Sequence, residues 1–346
     1  MDKKKVMVGM SGGVDSSAAA ALLIEQGYEV IGATMRLTPG SDDIRVEEQD
    51  AKKVCDTLGI EHFVLDFREE FKKYVIDYFV NEYIAGRTPN PCIACNKHIK
   101  FGLMYEKAKK MGMDYIATGH YAKIINNNGE YELHVGSAGN KDQSYVLYNM
   151  TQEILSHTLM PLGDYTKEEM RKKCADMGLD VASKSESMEI CFVDDDDYAR
   201  FICEWADYKS QQGKIKDTFG NVLGEHKGLI NYTIGQRKGI GAYGRPMFVL
   251  RLDTDNNELI LGEKGMEFTN RLVADNVNFL SDGLYNRSFT AYAKVRYQAR
   301  PAKAHITSMD NHKLCVEFEE PQRAVTPGQA VVFYDGSKLL GGGIVC

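Results

Sequence analysis

One hexapeptide near the start constrains this chain more than any other feature. Ser11-Gly12-Gly13-Val14-Asp15-Ser16 sits between the short apolar run Val6–Met10 and the alanine-rich stretch Ser17–Gln26. The first run has the length and apolarity of a buried strand. The second has the composition of a helix that stops at Gly27. Two glycines at a strand-to-helix junction let successive backbone N–H groups converge on an anion, and the helix that follows turns its positive end to the same point. Ser11, Ser16 and Ser17 add hydroxyls. Glycines alone would fit a tight turn; three serines and an aspartate in the same frame go with a phosphate ligand. Asp15 facing phosphate implies an accompanying Mg²⁺ ion. The glycine spacing and the lysine of a Walker loop are absent.

Beyond this loop the pattern alternates. Glu29–Leu37 reads as a strand, about Asp43 to Leu58 as a helix closed by Gly59, Glu61–Phe67 as a strand and Arg68–Ala85 as a long amphipathic helix. After a proline-rich loop comes a helix ending near Met111-Gly112, then the strand Asp114–Thr118. Such alternation predicts an α/β, Rossmann-like domain with a parallel sheet and helices on both faces. Tyr121–Val135 reads as a hairpin turning at Asn126-Asn127-Asn128-Gly129. Thr166–Met177 reads as a helix with Thr166 as its cap and Glu169 three residues on. The acidic run Asp194–Asp197 reads as the solvated start of a helix over Tyr198–Trp205. After about Lys209 glycines multiply and helix patterns stop. Leu229–Thr233, Met247–Leu252, Leu259–Leu261, Ser288–Tyr297, Lys313–Phe318 and Ala330–Tyr334 read as strands, predicting a small glycine-rich β module followed by a β-barrel.

A length of 346 residues fits two or three domains, and 43% hydrophobic residues can fill their cores. No apolar run approaches membrane-spanning length and no signal-peptide pattern opens the chain, so a cytoplasmic protein without membrane contact is expected. A net charge of −7 argues against a nucleic-acid partner only globally. Thr290–Met309 contains no acid and carries Lys294, Arg296, Arg300, Lys303 and His305, interleaved with Tyr292 and Tyr297. On composition alone this is a solvated strand face; RNA phosphates and stacked bases are the alternative. Lys97–Lys110, beside the cysteines, is a second candidate surface.

Eight cysteines in a reducing compartment are mostly buried thiols, the reading given to Cys55, Cys174, Cys203 and Cys315. Cys92 and Cys95 differ, because their spacing favours shared chemistry. They lie in Arg87-Thr88-Pro89-Asn90-Pro91-Cys92-Ile93-Ala94-Cys95-Asn96-Lys97, a loop stiffened by Pro89 and Pro91. A helix is expected to begin at Cys95, with Lys97, His98 and Lys100 nearby, the setting of a lowered thiol pKa. Cys191, in Met188-Glu189-Ile190-Cys191-Phe192-Val193, stands at a similar entry into polar sequence.

The hexapeptide resembles the PP-loop of the ATP pyrophosphatase superfamily. The chain as a whole resembles the bacterial tRNA-specific 2-thiouridylase family, often called MnmA. The resemblance is carried by the loop, Met35, the segment Thr88–Lys97, Ala117-Thr118-Gly119-His120-Tyr121, Lys141-Asp142-Gln143-Ser144-Tyr145, Ile190-Cys191-Phe192 and Asn231–Gly239. It implies a PP-loop domain over 1–205, a small central domain over 206–270 and a C-terminal β-barrel over 271–346. It also implies a reaction. ATP adenylates O2 of the wobble uridine U34 in tRNAs for Lys, Glu and Gln, and a persulfide sulfur then displaces AMP, with a cysteine desulfurase or sulfur-relay protein as donor. By the resemblance, Cys95 and Cys191 are catalytic, Cys191 as the persulfide carrier. Gly9, Met10, Ser11, Gly12, Gly13, Val14, Asp15, Ser16, Met35 and Gly119 bind ATP. Asn90, Pro91, Cys92, His120, Lys141, Asp142, Gln143, Tyr297, Gln298 and Gln329 meet tRNA.

The chain departs from the family at Cys92, where most members carry aspartate in Pro-Asn-Pro-Asp-x-x-Cys. Cys92, Cys95 and Cys191 leave a second sulfur route open, hydrosulfide on a [4Fe–4S] cluster with one open iron. Two rival readings are a PP-loop enzyme acting on a small molecule and an RNA-binding protein with a nucleotide switch. The first has no use for Cys95, Cys191 or a barrel.

Overall fold

Val6, Met7 and Val8 are wholly buried at the centre of a five-stranded parallel sheet. The structure, a computed structural model, describes residues 3–39, 46–179, 190–193 and 195–346. The chain folds as two compact units: Met1–Val75, Cys92–Met188 and Gly336–Leu340 form the first, and Ile76–Pro91, Glu189–Asp335 and Gly341–Cys346 the second.

In the first unit β1 (Lys5–Gly9) leads into α1 (Val14–Glu25), β2 (Glu29–Arg36), α2 (Val46–Leu58) and β3 (His62–Asp66). The expected long helix after β3 is α3 (Arg68–Phe71), a π-helical turn Lys72–Ile76 and α4 (Asp77–Ile84), the last belonging to the second unit. A helical run then takes in α5 (Pro91–Cys95), a π-helical stretch Asn96–Leu103 and α6 (Met104–Lys110). It begins four residues earlier than the sequence suggested. Pro91 explains this, since its preset φ and missing N–H suit the first helical position. β4 (Tyr115–Ala117), the hairpin β5 (Ala122–Asn127) and β6 (Glu130–Val135), α7 (Gln152–Ser156), β7 (Thr158–Leu159) and α8 (Lys167–Asp176) complete the unit. The sheet order is β3-β2-β1-β4-β7, parallel throughout. β1 therefore has its successor on one side and β4 on the other, a switch point at which α/β sheets open a crevice beyond the strand ends. The hairpin turns at Asn128 and Gly129, both with positive φ, as expected.

The second unit contains α9 (Tyr198–Trp205) and two β assemblies. Asp197 caps α9 by accepting from Arg200 N, and Asp195 pairs with the Arg200 guanidinium, so these acids serve the helix start; Asp194 lies outside the described residues. A four-stranded sheet is built from β8 (Gly213–Asp217), β9 (Val222–His226), β10 (Met247–Asp253) and β11 (Glu258–Glu263), in the order β10-β11-β8-β9. Its core is Ile215, Tyr232, Ile240, Met247, Val249, Leu259 and Leu261. The strand expected over Leu229–Thr233 is instead a short 3-10 turn, Leu229–Asn231. Gly228, at φ 115°, redirects the chain there, and Asn231 Nδ2 bonds back to Gly228 O. Six strands then close on themselves: β12 (Phe268–Phe279), β13 (Phe289–Lys294), β14 (Ala302–Ser308), β15 (Leu314–Arg323), β16 (Ala330–Asp335) and β17 (Lys338–Val345) run in the order β12-β15-β14-β13-β16-β17, and β17 pairs back onto β12. This is the expected barrel. No described helix is long and apolar enough to cross a membrane.

α8 carries the capping box foreseen at Thr166: its hydroxyl accepts from Glu169 N, and the Glu169 carboxylate accepts from Thr166 N. The bonds that the Glu169 carboxylate accepts from Thr166 N and from the Thr166 hydroxyl lower the Glu169 pKa from its ordinary value. Thr166→Ala should cost about 1 kcal/mol. A denaturant titration of the full chain should show the midpoint fall; an unchanged midpoint would mean that α8 does not depend on its cap.

Candidate active site

Gly13 is extended (φ −106°, ψ 174°) and caps α1, so Val14, Asp15 and Ser16 form the first helical turn rather than a loop ahead of it. The Met10 and Val14 side chains enter the core, leaving only their backbone to face a ligand. Ser16 and Ser17 are buried as well, and both hydroxyls donate to Gly13 O, at 3.2 and 2.8 Å. Ser16 Oγ also accepts from Ser11 N at 3.2 Å and lies 3.2 Å from Ser11 Oγ. The serines thus brace the turn from within. Gly12, at φ 67°, lies against the start of α2, where a Cβ would meet Glu47 O at 2.7 Å. Gly9 abuts the sulfur of Met104 and the methyl of Met35, so the Met35 expected at the ATP site does flank the end of β1.

Gly119 makes the tightest of these three junctions. A Cβ there would lie 2.6 Å from the Asp15 carbonyl carbon and 2.8 Å from Ser16 N. The chain leaving β4 runs directly against the start of α1. Two residues on, Tyr121 Oη donates to Asp15 Oδ1 at 2.8 Å, and from α8 Lys167 Nζ reaches Asp15 Oδ2 at 3.1 Å. The expected Mg²⁺ ligand therefore has both carboxylate oxygens engaged by side chains to which the sequence reading gave no role at the site. One signal for Lys167 existed: a cation at the first position of a helix opposes the helix dipole and needs a partner elsewhere.

Of the residues expected to meet tRNA in this unit, Gln143 braces the Tyr121 backbone. Gln143 accepts from Tyr121 N and donates its own N–H to Tyr121 O. Asp142 accepts from Gly136 N, Ser144 N and Ser144 Oγ. Lys141, beside it, is half-buried and ends a short 3-10 turn. His120 is 6% exposed, its Nδ1 2.7 Å from Thr118 Oγ1. Burial and the Lys100 charge push its pKa well below 6.5.

Cys92 lies in the first turn of α5 and is exposed; Cys95 is one turn further and buried. The residue at the helix start is thus Cys92, not Cys95 as expected. Protein packed beneath Cys92 pushes its thiol up, with Lys100 opposing. Asn96 is buried with Nδ2 on Val146 O at 3.5 Å and no partner for Oδ1. Cys55 and Cys174, pushed up to about 11 by burial, are the inert thiols expected. Among the described residues no three His, Cys, Asp or Glu side chains gather as a metal-binding group. Cys92 and Cys95 belong to the first unit and Cys191 to the second.

In the second unit, Cys191 is exposed and Phe192 beside it is buried edge-on against Phe79 and tilted on Phe201. Gln329 Nε2 donates to Thr88 O, and Thr88 N donates to Pro327 O, so the barrel pins the loop that leads to Asn90 and Pro91. Tyr297 and Gln298 lie in the turn after β13, with Lys294 Nζ 5.7 Å from the centre of the Tyr297 ring. Arg296 and Arg300 are exposed in the same turn. Lys303, on β14, is paired with Glu319 at 2.7 Å. The basic stretch therefore divides into a neutralised strand face and a cationic turn.

Two outcomes follow from the first unit's geometry. Gly119→Ala forces the β4 end and the loop apart, and ATP affinity should fall about tenfold or more with the circular-dichroism spectrum retained; wild-type affinity would detach this junction from nucleotide binding. His120 stays neutral in the folded chain, whereas the unfolded chain takes up a proton near pH 6.5. Stability should therefore fall as pH drops below 6.5. Melting curves between pH 7.5 and 5.5 should show a shallower fall for His120→Gln, and equal slopes would count against a buried neutral imidazole.

Three family models match the chain: the tRNA methyl transferase HUP domain over residues 4–195, the tRNA methyl transferase PRC-barrel domain over 200–263, and the aminomethyltransferase beta-barrel domain over 269–345. Among solved structures, the U34-tRNA thiolase NcsA from Methanococcus maripaludis with its [4Fe-4S] cluster aligns with 60% of this chain and 65% of its own, at a TM-score of 0.36 and 20% identity, too distant to bear on sulfur chemistry here. Curated relatives are far nearer. The tRNA-specific 2-thiouridylase MnmA of Acetivibrio thermocellus is 52% identical over 100% of both chains, and that of Clostridium perfringens 50% identical over 100% of this chain and 99% of its own. With that identity sustained from end to end, the chain belongs to the tRNA-specific 2-thiouridylase MnmA family and is a tRNA-modifying sulfurtransferase.

Proposed function

We propose that the enzyme uses Mg²⁺-ATP to adenylate O2 of U34 in tRNAs for Lys, Glu and Gln and exchanges that oxygen for sulfur in the cytoplasm. The observation that carries this reading is the brace around Asp15: a glycine-rich turn at the switch point, held by Gly119, Tyr121 and Lys167. In the first step O2 bonds to the α-phosphorus, pyrophosphate leaves with the bridging oxygen's electron pair, and the N3 proton is lost. Adenylation turns O2 into a good leaving group. In the second step the outer sulfur of a Cys191 persulfide bonds to C2, and AMP departs with the original oxygen. A thiol must then take up the inner sulfur as a disulfide, the role left for Cys95, and an external dithiol resets the pair. U34 would have to leave the anticodon stack to be reached.

On this reading 1–205 performs the chemistry, 206–270 is the small central domain and 271–346 binds tRNA. Exposed Arg296 and Arg300, with Lys294, Tyr297 and Gln298, would meet RNA from the barrel side. Asn90, Pro91, Cys92, His120, Lys141, Asp142, Gln143 and Gln329 complete the proposed RNA contacts. A cysteine desulfurase or sulfur-relay protein would load Cys191. The cluster alternative is decided by anaerobic iron content set against thiolation in Cys92, Cys95 and Cys191 variants.

With ATP and unmodified tRNA the protein should release AMP and pyrophosphate in a tRNA-dependent way. Cys95→Ser and Cys191→Ser should retain ATP binding and lose 2-thiouridine formation; full thiolation by Cys191→Ser would end the persulfide assignment. Arg296→Ala and Arg300→Ala should each flatten the salt dependence of tRNA binding by roughly one unit of slope. Identical slopes would return that turn to ordinary solvated surface.

A further inference from the structure

We propose that Cys92 is the resolving thiol of sulfur transfer: once Cys95 has been oxidised, Cys92 displaces Cys191 from it and leaves a Cys92–Cys95 disulfide at the start of α5. The inference rests on the persulfide reading above and adds a step to it. Both thiols lie on α5, three positions apart. That spacing brings helical Cβ atoms to about 5–6 Å of each other. A disulfide wants about 3.8 Å, so closing the bridge needs the turn to tighten by roughly 1–2 Å. The opening turn can do so at little cost. Its first N–H groups have no partner inside the helix, and Pro91 has no N–H at all. Beyond Cys95 the α-helical pattern gives way to the π-helical stretch Asn96–Leu103.

The two thiols differ in access. Cys95 is buried and Cys92 is exposed. The other cysteines of the first unit, Cys55 and Cys174, are buried, and Cys174 Sγ is turned to Val14 O. Cys92 is therefore the one exposed thiol in this unit, and it stands one helical turn from the thiol that sulfur transfer oxidises. The exchange balances without an added oxidant. The Cys92 thiolate bonds to Cys95 Sγ, the bond between Cys95 and Cys191 breaks, and its electron pair leaves on Cys191 Sγ, which takes up the proton that Cys92 gave to solvent. The external dithiol then attacks the exposed Cys92 sulfur, Cys95 leaves as a thiolate, and the second thiol of the dithiol frees Cys92. Cys191 is thus ready for another sulfur atom before the reductant arrives. Protein packed beneath Cys92 pushes its thiol up, with Lys100 opposing, which keeps the thiolate fraction small. A nucleophile held beside its target offsets that deficit through high effective concentration.

Two measurements on the full-length chain test this. In the first, Cys191→Ser is equilibrated in glutathione redox buffers, alkylated and mapped by mass spectrometry. A Cys92–Cys95 bridge should form; glutathione adducts on the separate thiols, with no bridge between them, would overturn the proposal. In the second, wild-type protein loaded with sulfur by a cysteine desulfurase receives ATP and unmodified tRNA without any dithiol, and is quenched and alkylated after one turnover. For each 2-thiouridine formed, the wild type should hold a Cys92–Cys95 bridge and an alkylated Cys191. Cys92→Ser should lose that bridge and hold Cys95–Cys191 instead. Should Cys92→Ser not fold, Cys92→Ala carries the same comparison. A Cys95–Cys191 bridge that persists in the wild type until dithiol is added would mean that the reductant attacks it directly, and the resolving role falls. If 2-thiouridine forms while the Cys92 variants hold no Cys95–Cys191 bridge, it is the persulfide reading that fails, whatever the pair does in the first measurement.

Discussion

The backbone contact between Gly119 and the Asp15–Ser16 peptide sets the geometry of everything around the phosphate turn. β4 pairs in parallel with β1, with Ala117 opposite Val8, so the two strands end at the same level. The chain leaving β4 has only the width of a glycine in which to pass the start of α1. Because that passage admits no side chain, the residues on either side of it are fixed in turn: His120 is carried inward to Thr118, and Tyr121 is set beneath Asp15. Gln143 then closes on the Tyr121 backbone with a reciprocal pair of hydrogen bonds. A reactive crevice at a switch point needs such rigidity, since positioning groups act only as well as their supports hold them.

Charge at the turn is handled by distant segments. The dipole of α1 and the bent backbone supply partial positive charge locally. The full cation comes from α8, and the hydroxyl that orients Asp15 comes from the start of the hairpin strand pair. Three separated stretches of sequence therefore converge on one carboxylate. A loop with its own lysine would need no such convergence, and that difference separates this turn from a Walker loop.

In the second unit the cysteine segment Ile190–Val193 is held by apolar burial rather than by hydrogen bonds alone. Phe192 sits among Phe79 and Phe201, and Phe201 stacks on Trp205, whose Nε1 is bonded to Asp77. Burying Phe192 leaves its neighbour Cys191 at the surface, where a thiol can exchange sulfur. The loop ahead of Pro91 is fixed in a comparable way, by Thr88 between Pro327 and Gln329. Gln329, read from the sequence as an RNA contact, has its amide in use as a strut.

Much of this was legible in the residues. The strand, glycine turn and helix of the phosphate loop, the alternation that makes a parallel sheet, the Thr166–Glu169 box and the Asn128-Gly129 turn are local rules, satisfied by neighbours within a few positions, and sequence alone determined them. The α5 start was misplaced because Pro91 was read as a loop stiffener rather than as a helix opener. The strand β17 is absent from those read off the sequence, and three successive glycines, Gly341-Gly342-Gly343, give no local strand signal. In the closed barrel a Cβ at Gly341 would lie 2.2 Å from Asn278 O, so the glycines mark where β12 comes too near for side chains, a fact no local pattern carries. The partnership of Asp15 with Tyr121 and Lys167 was invisible for the same reason. These residues are separated by 106 and 152 positions, and only the packing of α8 and β4 against α1 brings their opposite charges and hydrogen-bonding groups within reach.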